Sequence, residues 1–435
     1  MNEYDLIVVG AGPGGYSIAA DRAAAGQKVL VIEKDRAGGT CLNRGGIPTK
    51  CLCASADVIR AVANAAAFGV EVGGFSADYA KAHERMTSIV DGLRDGVGQM
   101  LSRCTVVPGE ARITADGDVA VAGELYRAPK VLIATGSKPA RLPFDDGVSI
   151  TSDDLLAMTA LPSSIVIIGG GVIGMEFAGI LRAFGVEVTV IEYCKEILPP
   201  FDAEIAKRLR TVMGRTGIKF IVGAQVTAIE RGDGCVVRYT DRKGDHVIEA
   251  AEVLSAVGRR PVVPEGLAEA GIEVDRRGFI VTDDRMCTTR PGFYAVGDCN
   301  GRLMLAHAAE AQARVAMGEE VCLDAVPSAV FTDPECAMVG PTSEQCTARG
   351  IEVRVAKAMF AGNGKAQAMG QTQGLVKTIF DAATDRVLGC HIVGPHAADL
   401  IQEMVIPVAD GMTAATLRRY VHGHPTLSEV LAATL

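Results

Sequence analysis

The sequence predicts an α/β protein with two Rossmann-like dinucleotide-binding domains, and three observations support this prediction. First, the chain has 435 residues, which is too long for one hydrophobic core and suggests about three domains. Second, it contains 50 glycines. Third, a glycine-rich motif between a β-branched run and an apolar helical stretch occurs twice, near the N-terminus and in the middle of the chain. Each copy predicts a strand, a tight turn, a helix and a second strand that together bind a nucleotide.

The first motif, DLIVVGAGPGG, places three glycines directly after a strand. We expect Gly10 to permit the turn, Gly12 to let a pyrophosphate approach the backbone, and Gly15 to allow the helix to pack closely on the strand. The N-terminus of the following helix would then face the phosphates. Glu33 ends the second strand and is placed to accept a hydrogen bond from a ribose hydroxyl.

The second motif, IVIIGGGVIG, repeats this pattern with Gly169, Gly171 and Gly174, and its second strand ends at Glu192. The separation of first glycine and terminal acid is the same in both copies, from position 10 to 33 and from 169 to 192. A carboxylate at Glu192 favours NAD over NADP, because it would bind a free 2′-hydroxyl and repel a 2′-phosphate. The alternative is that Glu192 is a solvated strand end, which leaves this preference open.

Composition and charge exclude several classes of function. The formal net charge of -9 is spread along the chain without a basic run, so we expect no nucleic-acid partner. No apolar run approaches the ~18 residues that span a bilayer, and the N-terminus lacks a charged leader, so we expect a cytoplasmic protein without a membrane contact. The 12 cysteines are scattered, and His391, His396 and Cys390 lack a ligand spacing, so we expect neither a disulfide framework nor a metal site.

A third motif, GGTCLNRGGIPTK at 38–50, resembles, together with the two glycine motifs, the class I pyridine nucleotide-disulfide oxidoreductases, and most closely their dihydrolipoyl dehydrogenase group. The resemblance extends along nearly the whole chain. Its further markers are AGPGGY (11–16), ATGSKP (134–139), GGGVIGMEFA (169–178), VGRRP (257–261), FYAVGD (293–298), MLAHAAEA (304–311), FTDPECAMVG (331–340), LGCHIVGPHAADLIQE (388–403) and HPTLSE (424–429).

The resemblance implies a discontinuous FAD-binding domain with an inserted NAD-binding domain and an α+β dimerisation domain at the C-terminus. The bounds that we expect are 1–145 for the first part of the FAD domain, 146–263 for the NAD domain, 264–325 for a central domain that completes the FAD site, and 326–435 for the interface domain. The Pro-bearing stretch from ATGSKP to Pro143 and the segment VGRRPVVP at 257–264 are plausible exits from the first two domains.

The resemblance also implies which residues contact the two cofactors, with Asp298 contacting the ribityl chain of FAD. The residues expected to contact FAD are Gly10, Gly12, Gly14, Gly15, Glu33, Lys34, Gly39, Thr40, Lys50, Ala111, Thr135, Gly136, Asp298, Met304, Leu305, Ala306 and His307. Those expected to contact NAD are Gly169, Gly171, Val172, Ile173, Gly174, Glu192, Val226 and Gly258.

The redox centre departs from the family pattern. Members of the family carry two cysteines five positions apart, which form a disulfide against the flavin; the first is Cys41, but the second position holds Gly46. Glycine cannot exchange electrons with the ring. Cys51 and Cys53 are poor replacements, because Cys53 lies about 10 Å along a helix from position 46 and Cys51 points to another face. A disulfide needs Cα atoms roughly 4.4 to 6.8 Å apart.

The resemblance implies two supporting pairs. Lys50 and Glu176 match an ion pair beside the flavin, where the lysine charge stabilises the anionic reduced ring; the alternative is two surface charges. His424 and Glu429 match the family's base and its orienting carboxylate, which reach the redox centre from the other subunit of a homodimer; the alternative is a structural histidine. His422 lacks these neighbours in the sequence, so we do not select it.

The expected function is that of a dihydrolipoyl dehydrogenase-type enzyme that moves electrons between a dihydrolipoyl dithiol, FAD and NAD, with the dithiol half impaired by Gly46. One alternative is an NADH oxidase or diaphorase. Another is a non-catalytic FAD-binding dimer that serves a 2-oxo acid dehydrogenase complex or a glycine cleavage system. The sequence alone leaves open which complex it serves and whether Gly46 is natural or engineered.

Overall fold

The computed structural model describes residues 2–435, which form two compact units. The first unit contains the residues up to Leu52, Ala80–Ala140 and Gly258–Leu323, and the second contains Cys53–Tyr79, Arg141–Val257 and Asp324–Leu435. The chain thus changes unit near both segments that the sequence suggests as domain exits. The bounds of the four expected domains stay a prediction.

The described residues contain short strands and helices of mixed length. The helices are α1 (Pro13–Ala24), α2 (Gly39–Arg44), α3 (Gly46–Ala63), α4 (Tyr79–Met100), α5 (Ser152–Ala157), α6 (Val172–Ala183), α7 (Ala203–Arg215), α8 (Ala306–Ala316), α9 (Ser343–Ala348), α10 (Gly364–Ala368), α11 (Ala397–Leu400), α12 (Gln402–Ala409), α13 (Ala414–Leu417) and α14 (Glu429–Ala432). Short 3-10 helices occupy Ala65–Phe68, Leu101–Arg103, Gly297–Asn300 and Phe360–Gly362.

The strands of the described residues group into six sheets. They are β1 (Asn2–Glu3), β2 (Leu6–Val9), β3 (Val29–Glu33), β4 (Thr105–Pro108), β5 (Arg112–Ile113), β6 (Val119–Val121), β7 (Glu124–Arg127), β8 (Lys130–Ile133), β9 (Ser137–Pro139), β10 (Ser164–Ile168), β11 (Glu187–Glu192), β12 (Lys219–Val222), β13 (Gln225–Arg231), β14 (Cys235–Asp241), β15 (Gly244–Ala250), β16 (Glu252–Ser255), β17 (Arg259–Pro261), β18 (Phe293–Ala295), β19 (Ser328–Val330), β20 (Glu335–Val339), β21 (Val353–Met359), β22 (Leu375–Asp381) and β23 (Val387–Gly394).

The first unit is built on a parallel sheet with strand order β18-β8-β2-β3-β4. Its strands are apolar without alternation, as expected for a sheet that is covered on both faces. Leu6 and Val8 share a core with residues of α1 and α8, whereas Ile7 and Val9 face the other way into a core with β5, β6 and β7. The carboxyl end of β2 leads directly into the first glycine loop, and β3 ends at Glu33 beside it in the sheet.

The second unit contains a parallel sheet of order β12-β11-β10-β16, which repeats the strand and helix pattern of the first nucleotide motif. An antiparallel sheet β13-β14-β15 shares a core with it. The C-terminal part is an antiparallel sheet of order β19-β20-β23-β22-β21, packed against α11, α12 and α14. The predicted fold class, two Rossmann-like parts and a C-terminal α+β part, is confirmed.

A buried ion pair attaches the N-terminus of α7 to the C-terminal sheet within the second unit. Lys377 on β22 is 5% exposed and Asp202 is fully buried, and their Nζ and Oδ2 atoms are 2.6 Å apart. The other carboxylate oxygen of Asp202 caps α7, because it accepts hydrogen bonds from the amides of Glu204 and Ile205. His391 lies opposite Lys377 across the β22–β23 ladder, and burial lowers its pKa, so it stays neutral beside the lysine.

We predict that Lys377→Met destabilises the protein by about 3 to 5 kcal/mol, because it leaves the Asp202 carboxylate buried without a counter-charge. Lys357→Met is the matched control: Lys357 lies opposite Lys377 on β21 and pairs with Glu204, but both side chains are about half exposed. Such a pair contributes only about 0 to 1 kcal/mol. Urea unfolding followed by circular dichroism, with hydrogen exchange in α7 as the local probe, measures the difference. Equal effects of the two substitutions would contradict the prediction.

Candidate functional site

The two glycine loops have the same backbone geometry. Gly10 has a φ of +104° and Gly169 a φ of +106°, a region that residues with a side chain rarely adopt. A Cβ atom at either position would lie 2.4 Å from a neighbouring carbonyl oxygen. Only glycine fits at the turn in both copies, so the repeat seen in the sequence is also a repeat in three dimensions.

The helix that follows each loop begins at a glycine without a capping side chain. Gly12 precedes α1 and Gly171 precedes α6, and neither helix has a side-chain cap hydrogen bond at its N-terminus. A Cβ at Gly171 would meet nothing within 4 Å, and one at Gly12 would meet only the Cα of Gly39, at 3.7 Å. Exposed helix amides behind an open, side-chain-free approach fit the pyrophosphate of a dinucleotide. The residues present therefore fit a dinucleotide at each helix, in line with the expectation of FAD at α1 and NAD at α6.

The acid at the end of each second strand holds the glycine loop in place. In the first copy, the amides of Ala11 and Asp35 donate to the two carboxylate oxygens of Glu33, at 2.7 and 2.9 Å. In the second copy, the two corresponding amides donate to Glu192 at 2.5 and 2.6 Å. Burial raises the pKa of Glu33, whereas backbone hydrogen bonds from Ala11 and Lys34 act in the opposite direction. Glu192 is only 6% exposed, so the alternative of a solvated strand end is wrong.

Other residues selected for FAD lie in the first unit with different degrees of exposure. Lys34 pairs with Glu110 at 3.0 Å on the surface. Ala111 is buried in the core below the sheet. The Thr135 hydroxyl donates to the Val262 carbonyl at 2.5 Å, which connects the ATGSKP segment to the VGRRPVVP segment. Both segments therefore meet inside one unit although more than a hundred residues separate them.

The remaining cofactor residues lie at turns and helix starts. Leu305 is the N-cap residue of α8, Met304 precedes it and is 37% exposed, and Ala306 and His307 form the first turn. Gly14 lies in α1 facing α8, where a Cβ would approach the Ala309 Cβ to 3.2 Å, so its missing side chain also serves helix packing. The other members of the two sets are placed as follows: Thr40 in α2, Gly136 at a φ of +69°, Val172 and Ile173 in the first turn of α6, Val226 in the core of the second unit, and Gly258 at the return to the first unit.

The redox segment is a short helix followed at once by a long one. Cys41 lies on α2, and Gly46 is the first residue of α3. A Cβ at Gly46 would lie 3.4 Å from the Cys41 sulfur and would meet no other group outside its own helix. A disulfide places the Cβ of one cysteine about 3 Å from the sulfur of the other, given an S–S bond of about 2.0 Å. A Cβ at position 46 would therefore lie close to the separation that a disulfide partner of Cys41 needs.

The pKa of the Cys41 thiol is raised, and burial is the main cause. Backbone hydrogen bonds from Gly46 and Ile47 at the start of α3 and the charge of Lys50 act in the opposite direction. The Glu310 carboxylate adds to the effect of burial. The balance leaves Cys41 as a neutral thiol near pH 7, which is less nucleophilic than a thiolate.

Sequence reasoning missed two groups beside Cys41, namely Glu310 on α8 and Tyr16 on α1. Burial raises the pKa of both, and the Glu310 charge raises that of Tyr16 further. The charge of His307 opposes the shift of Glu310. Tyr16 lies in the motif AGPGGY and Glu310 in the motif MLAHAAEA, so these two motifs were the sequence signal that could have identified them. Their common neighbourhood arises because α1 and α8 pack together.

All twelve cysteines lie in the described part of the chain, and none of them forms a disulfide. Cys51 and Cys53 lie on α3, as predicted for a helix that begins near position 46. The Cys53 sulfur is buried and donates to the Phe331 carbonyl at 3.4 Å. Neither cysteine is paired with Cys41.

Glu176 and Lys50 belong to different units, so the predicted ion pair between them stays a prediction. Glu176 lies on α6 and is 4% exposed. One of its carboxylate oxygens accepts a hydrogen bond from the Phe331 amide at 2.9 Å. This contact fixes the carboxylate inside the second unit.

The structure brings His424 and Glu429 together, with Nδ1 and Oε1 2.9 Å apart. The other oxygen of Glu429 accepts from the Thr426 amide, and this hydrogen bond and His424 hold the pKa of Glu429 below its usual value. The His424 side chain is 80% exposed. His422, which sequence reasoning did not select, also has a carboxylate partner, Glu403. No sequence signal pointed to that pair, because the partners are not adjacent in any motif.

Two dinucleotide loops and a cysteine at the start of a helix define a nicotinamide-dependent flavoprotein oxidoreductase. Residues 4–313 match the pyridine nucleotide-disulphide oxidoreductases, and residues 326–434 match the dimerisation domain of the same proteins. The chain belongs to the pyridine nucleotide-disulphide oxidoreductase family and uses FAD and NAD(H).

Curated relatives support this assignment along the full length. The dihydrolipoyl dehydrogenase of Chlamydia muridarum is 39% identical, with 99% of this chain and 96% of the relative covered. That of Bacillus subtilis is 37% identical with the same coverage. Among solved structures, the Cu(II) complex of the HOCl-induced flavoprotein disulfide reductase RclA from Escherichia coli has a TM-score of 0.88 and 28% identity, and covers 100% of this chain and 99% of that one.

Two structural features are absent from residues 2–435. None of the helices there combines the length and apolar character needed to cross a bilayer. The same residues contain no group of three or more His, Cys, Asp or Glu side chains arranged to hold a metal ion.

We predict that alkylation of Cys41 by iodoacetamide accelerates with rising pH, with a midpoint above the pKa of a free cysteine, because burial disfavours the thiolate. Glu310→Gln removes a nearby negative charge and should move the midpoint to lower pH. Glu320→Gln, which changes an exposed carboxylate, is the control. Mass spectrometry of the Cys41 peptide separates this thiol from the others. An unchanged midpoint in Glu310→Gln would show that the carboxylate does not act on Cys41.

Proposed function

We propose that the chain is a dihydrolipoyl dehydrogenase-type flavoprotein in which electron exchange between NADH and FAD is intact and exchange with a dithiol is impaired. One observation carries this proposal: a Cβ at position 46 would lie close to the distance of a disulfide partner from the Cys41 sulfur, but the position is occupied by glycine. The nucleotide loops are complete in both copies. The defect is therefore confined to the sulfur relay.

Some of the candidate residues would hold the cofactors, and others would place charges beside them. When bound, FAD accepts an electron pair from NADH or from a thiolate pair and returns it to the other partner. The helices α1 and α6 would hold the two pyrophosphates with their N-terminal amides, and Glu33 and Glu192 would accept from the ribose hydroxyls. Lys50 would place a positive charge beside the flavin, and Glu176 would orient that lysine.

Oxidation of a dithiol removes two electrons and two protons, and the family relay takes them by thiol–disulfide exchange. Such exchange needs an existing disulfide, which is reduced to two thiols as the substrate becomes a disulfide. Cys41 without a sulfur at position 46 cannot supply that disulfide. His424, oriented by Glu429, would still be able to accept the dithiol proton. Proton transfer to His424 alone does not oxidise the dithiol, because no group accepts the two electrons from its sulfur atoms.

The assembly state and the setting of the enzyme are part of this proposal. The match of residues 326–434 to a dimerisation domain supports a homodimer, in which His424 serves the redox centre of the other subunit. We propose a lipoyl-bearing partner of a 2-oxo acid dehydrogenase complex or glycine cleavage system, a cytoplasmic location, and the four domains 1–145, 146–263, 264–325 and 326–435. The alternatives are an NADH oxidase or diaphorase and a non-catalytic FAD-binding subunit.

We predict that anaerobic NADH bleaches the flavin absorbance of the purified protein, because both dinucleotide loops are intact. NADPH should act more slowly, since the buried Glu192 carboxylate would repel a 2′-phosphate. Stopped-flow absorbance without oxygen measures both rates. Continued NADH consumption with oxygen or a quinone, but not with lipoamide, would select the oxidase or diaphorase. A flavin that NADH cannot reduce would contradict the proposal and would leave the non-catalytic alternative.

We predict that Gly46→Cys restores turnover of dihydrolipoamide, with a gain on the order of 10³-fold or more, as for a residue that forms covalent bonds in the reaction. Gly46→Ser is the matched control, because it fills the same space without providing a redox-active sulfur. Dihydrolipoamide-dependent reduction of NAD+ measures activity, and thiol counting under denaturing conditions detects the new disulfide with Cys41. A disulfide that forms without any gain in activity would show that Gly46 does not explain the missing half-reaction.

A further inference from the structure

A chain of polar contacts lies behind the expected ribityl contact Asp298. This residue lies in the short 3-10 helix Gly297–Asn300, and its Oδ2 atom accepts a hydrogen bond from the Ser137 hydroxyl. The Nε atom of Arg259 is 3.8 Å from the same oxygen. All three residues belong to the first unit. Both contacts use Oδ2, so Oδ1 can accept a hydrogen bond from a ligand hydroxyl.

Arg259 holds Ser137 with two donors. Its Nε donates to the Ser137 hydroxyl oxygen at 2.7 Å, and its Nη2 donates to the Ser137 carbonyl at 2.9 Å. The Arg259 side chain is only 13% exposed. The strand β17, which carries Arg259, pairs with β9, which carries Ser137. The hydroxyl therefore has one orientation open to it: it accepts from Arg259 and donates to Asp298.

Arg259 is also adjacent in sequence to a residue of the expected NAD site. Arg259 directly follows Gly258, where the chain returns to the first unit and where we expect a contact with NAD. The planar guanidinium can satisfy both Ser137 acceptors at once, whereas the ammonium of a lysine presents a single point of charge. The next residue, Arg260, is exposed and points to the other face of β17, because successive side chains of a strand alternate.

We propose that Arg259 is a positioning residue for FAD, which acts through Ser137 to fix the Asp298 carboxylate for the ribityl hydroxyls. A carboxylate that is already held in the binding orientation loses little conformational freedom when the cofactor binds. Arg259 also supplies the positive charge that balances Asp298 in this partly buried place. The inference rests on the proposed contact between Asp298 and FAD, and it does not depend on the chemistry at Cys41.

The first test compares FAD affinities of the apoprotein. Arg259→Gln should weaken FAD binding roughly tenfold to hundredfold, as expected for lost hydrogen bonds to a charged group. Ser137→Ala should weaken binding in the same sense, and Arg259→Lys should retain part of the affinity. Arg260→Gln is the matched control and should stay within about twofold, as an exposed substitution away from the site. Titration of flavin-free protein with FAD, followed by quenching of flavin fluorescence, measures each Kd.

The second test asks whether Arg259 acts through Asp298. Asp298→Asn alone should weaken FAD binding, and Arg259→Gln should have little further effect in that background, because coupled residues are not additive. An equal loss from Arg259→Gln in both backgrounds, or an unchanged Kd in Arg259→Gln, would overturn the inference. The melting temperature of each apoprotein serves as the structural readout. If Arg259→Gln lowers it in proportion to the loss of affinity, Arg259 stabilises the fold and does not position the carboxylate.

An unchanged Kd in Asp298→Asn would also overturn the inference, since it would remove the contact on which it rests. That outcome leaves the proposed function standing, because reduction of bound flavin by NADH does not require Asp298. Conversely, a protein that binds FAD with the expected pattern but is not reduced by NADH would refute the proposed function and keep this inference.

Discussion

The hydrogen bond from the glycine-loop amide to the acid at the end of the second strand is the contact on which both nucleotide sites depend. It occurs in both copies, at Glu33 and Glu192. A charge-assisted hydrogen bond of this kind is roughly twice as strong as one between neutral groups. It fixes the loop so that the helix behind it opens toward solvent with its first amides free of side-chain caps. The same carboxylates retain lone pairs, which we propose accept hydrogen bonds from a ribose.

We propose that the effect of Gly46 is confined to the redox segment. A Cβ at that position has the Cys41 sulfur as its contact outside the helix, and the loops are held by other residues. The Cys41 thiol lies between opposing influences: the start of α3 and Lys50 favour its thiolate, whereas burial and Glu310 oppose it. A second sulfur would add a covalent partner at this place. We propose that its absence impairs only the dithiol half of the family reaction.

The sequence by itself determined the fold class, the two dinucleotide motifs and the positions of the main candidate residues. These features depend on short spacings: three glycines within six positions, an acid at the end of the next strand, and His424 five residues before Glu429. Spacings of this length are fixed by the geometry of single turns, helices and strands, so a pattern of residue types is sufficient to predict them. The departure at Gly46 was visible from the resemblance, because the family carries a second cysteine five positions after Cys41.

Only the tertiary structure decided which distant side chains act together. Glu310 reaches the surroundings of Cys41 because two helices pack, and Arg259 reaches Asp298 because two strands far apart in the chain pair. Lys377 and Asp202 meet inside the second unit in the same way. Such contacts depend on the directions of side chains in a packed core, which local periodicity does not specify. The sequence thus determined which residues we propose for cofactor binding, and packing decided which charges lie near these residues.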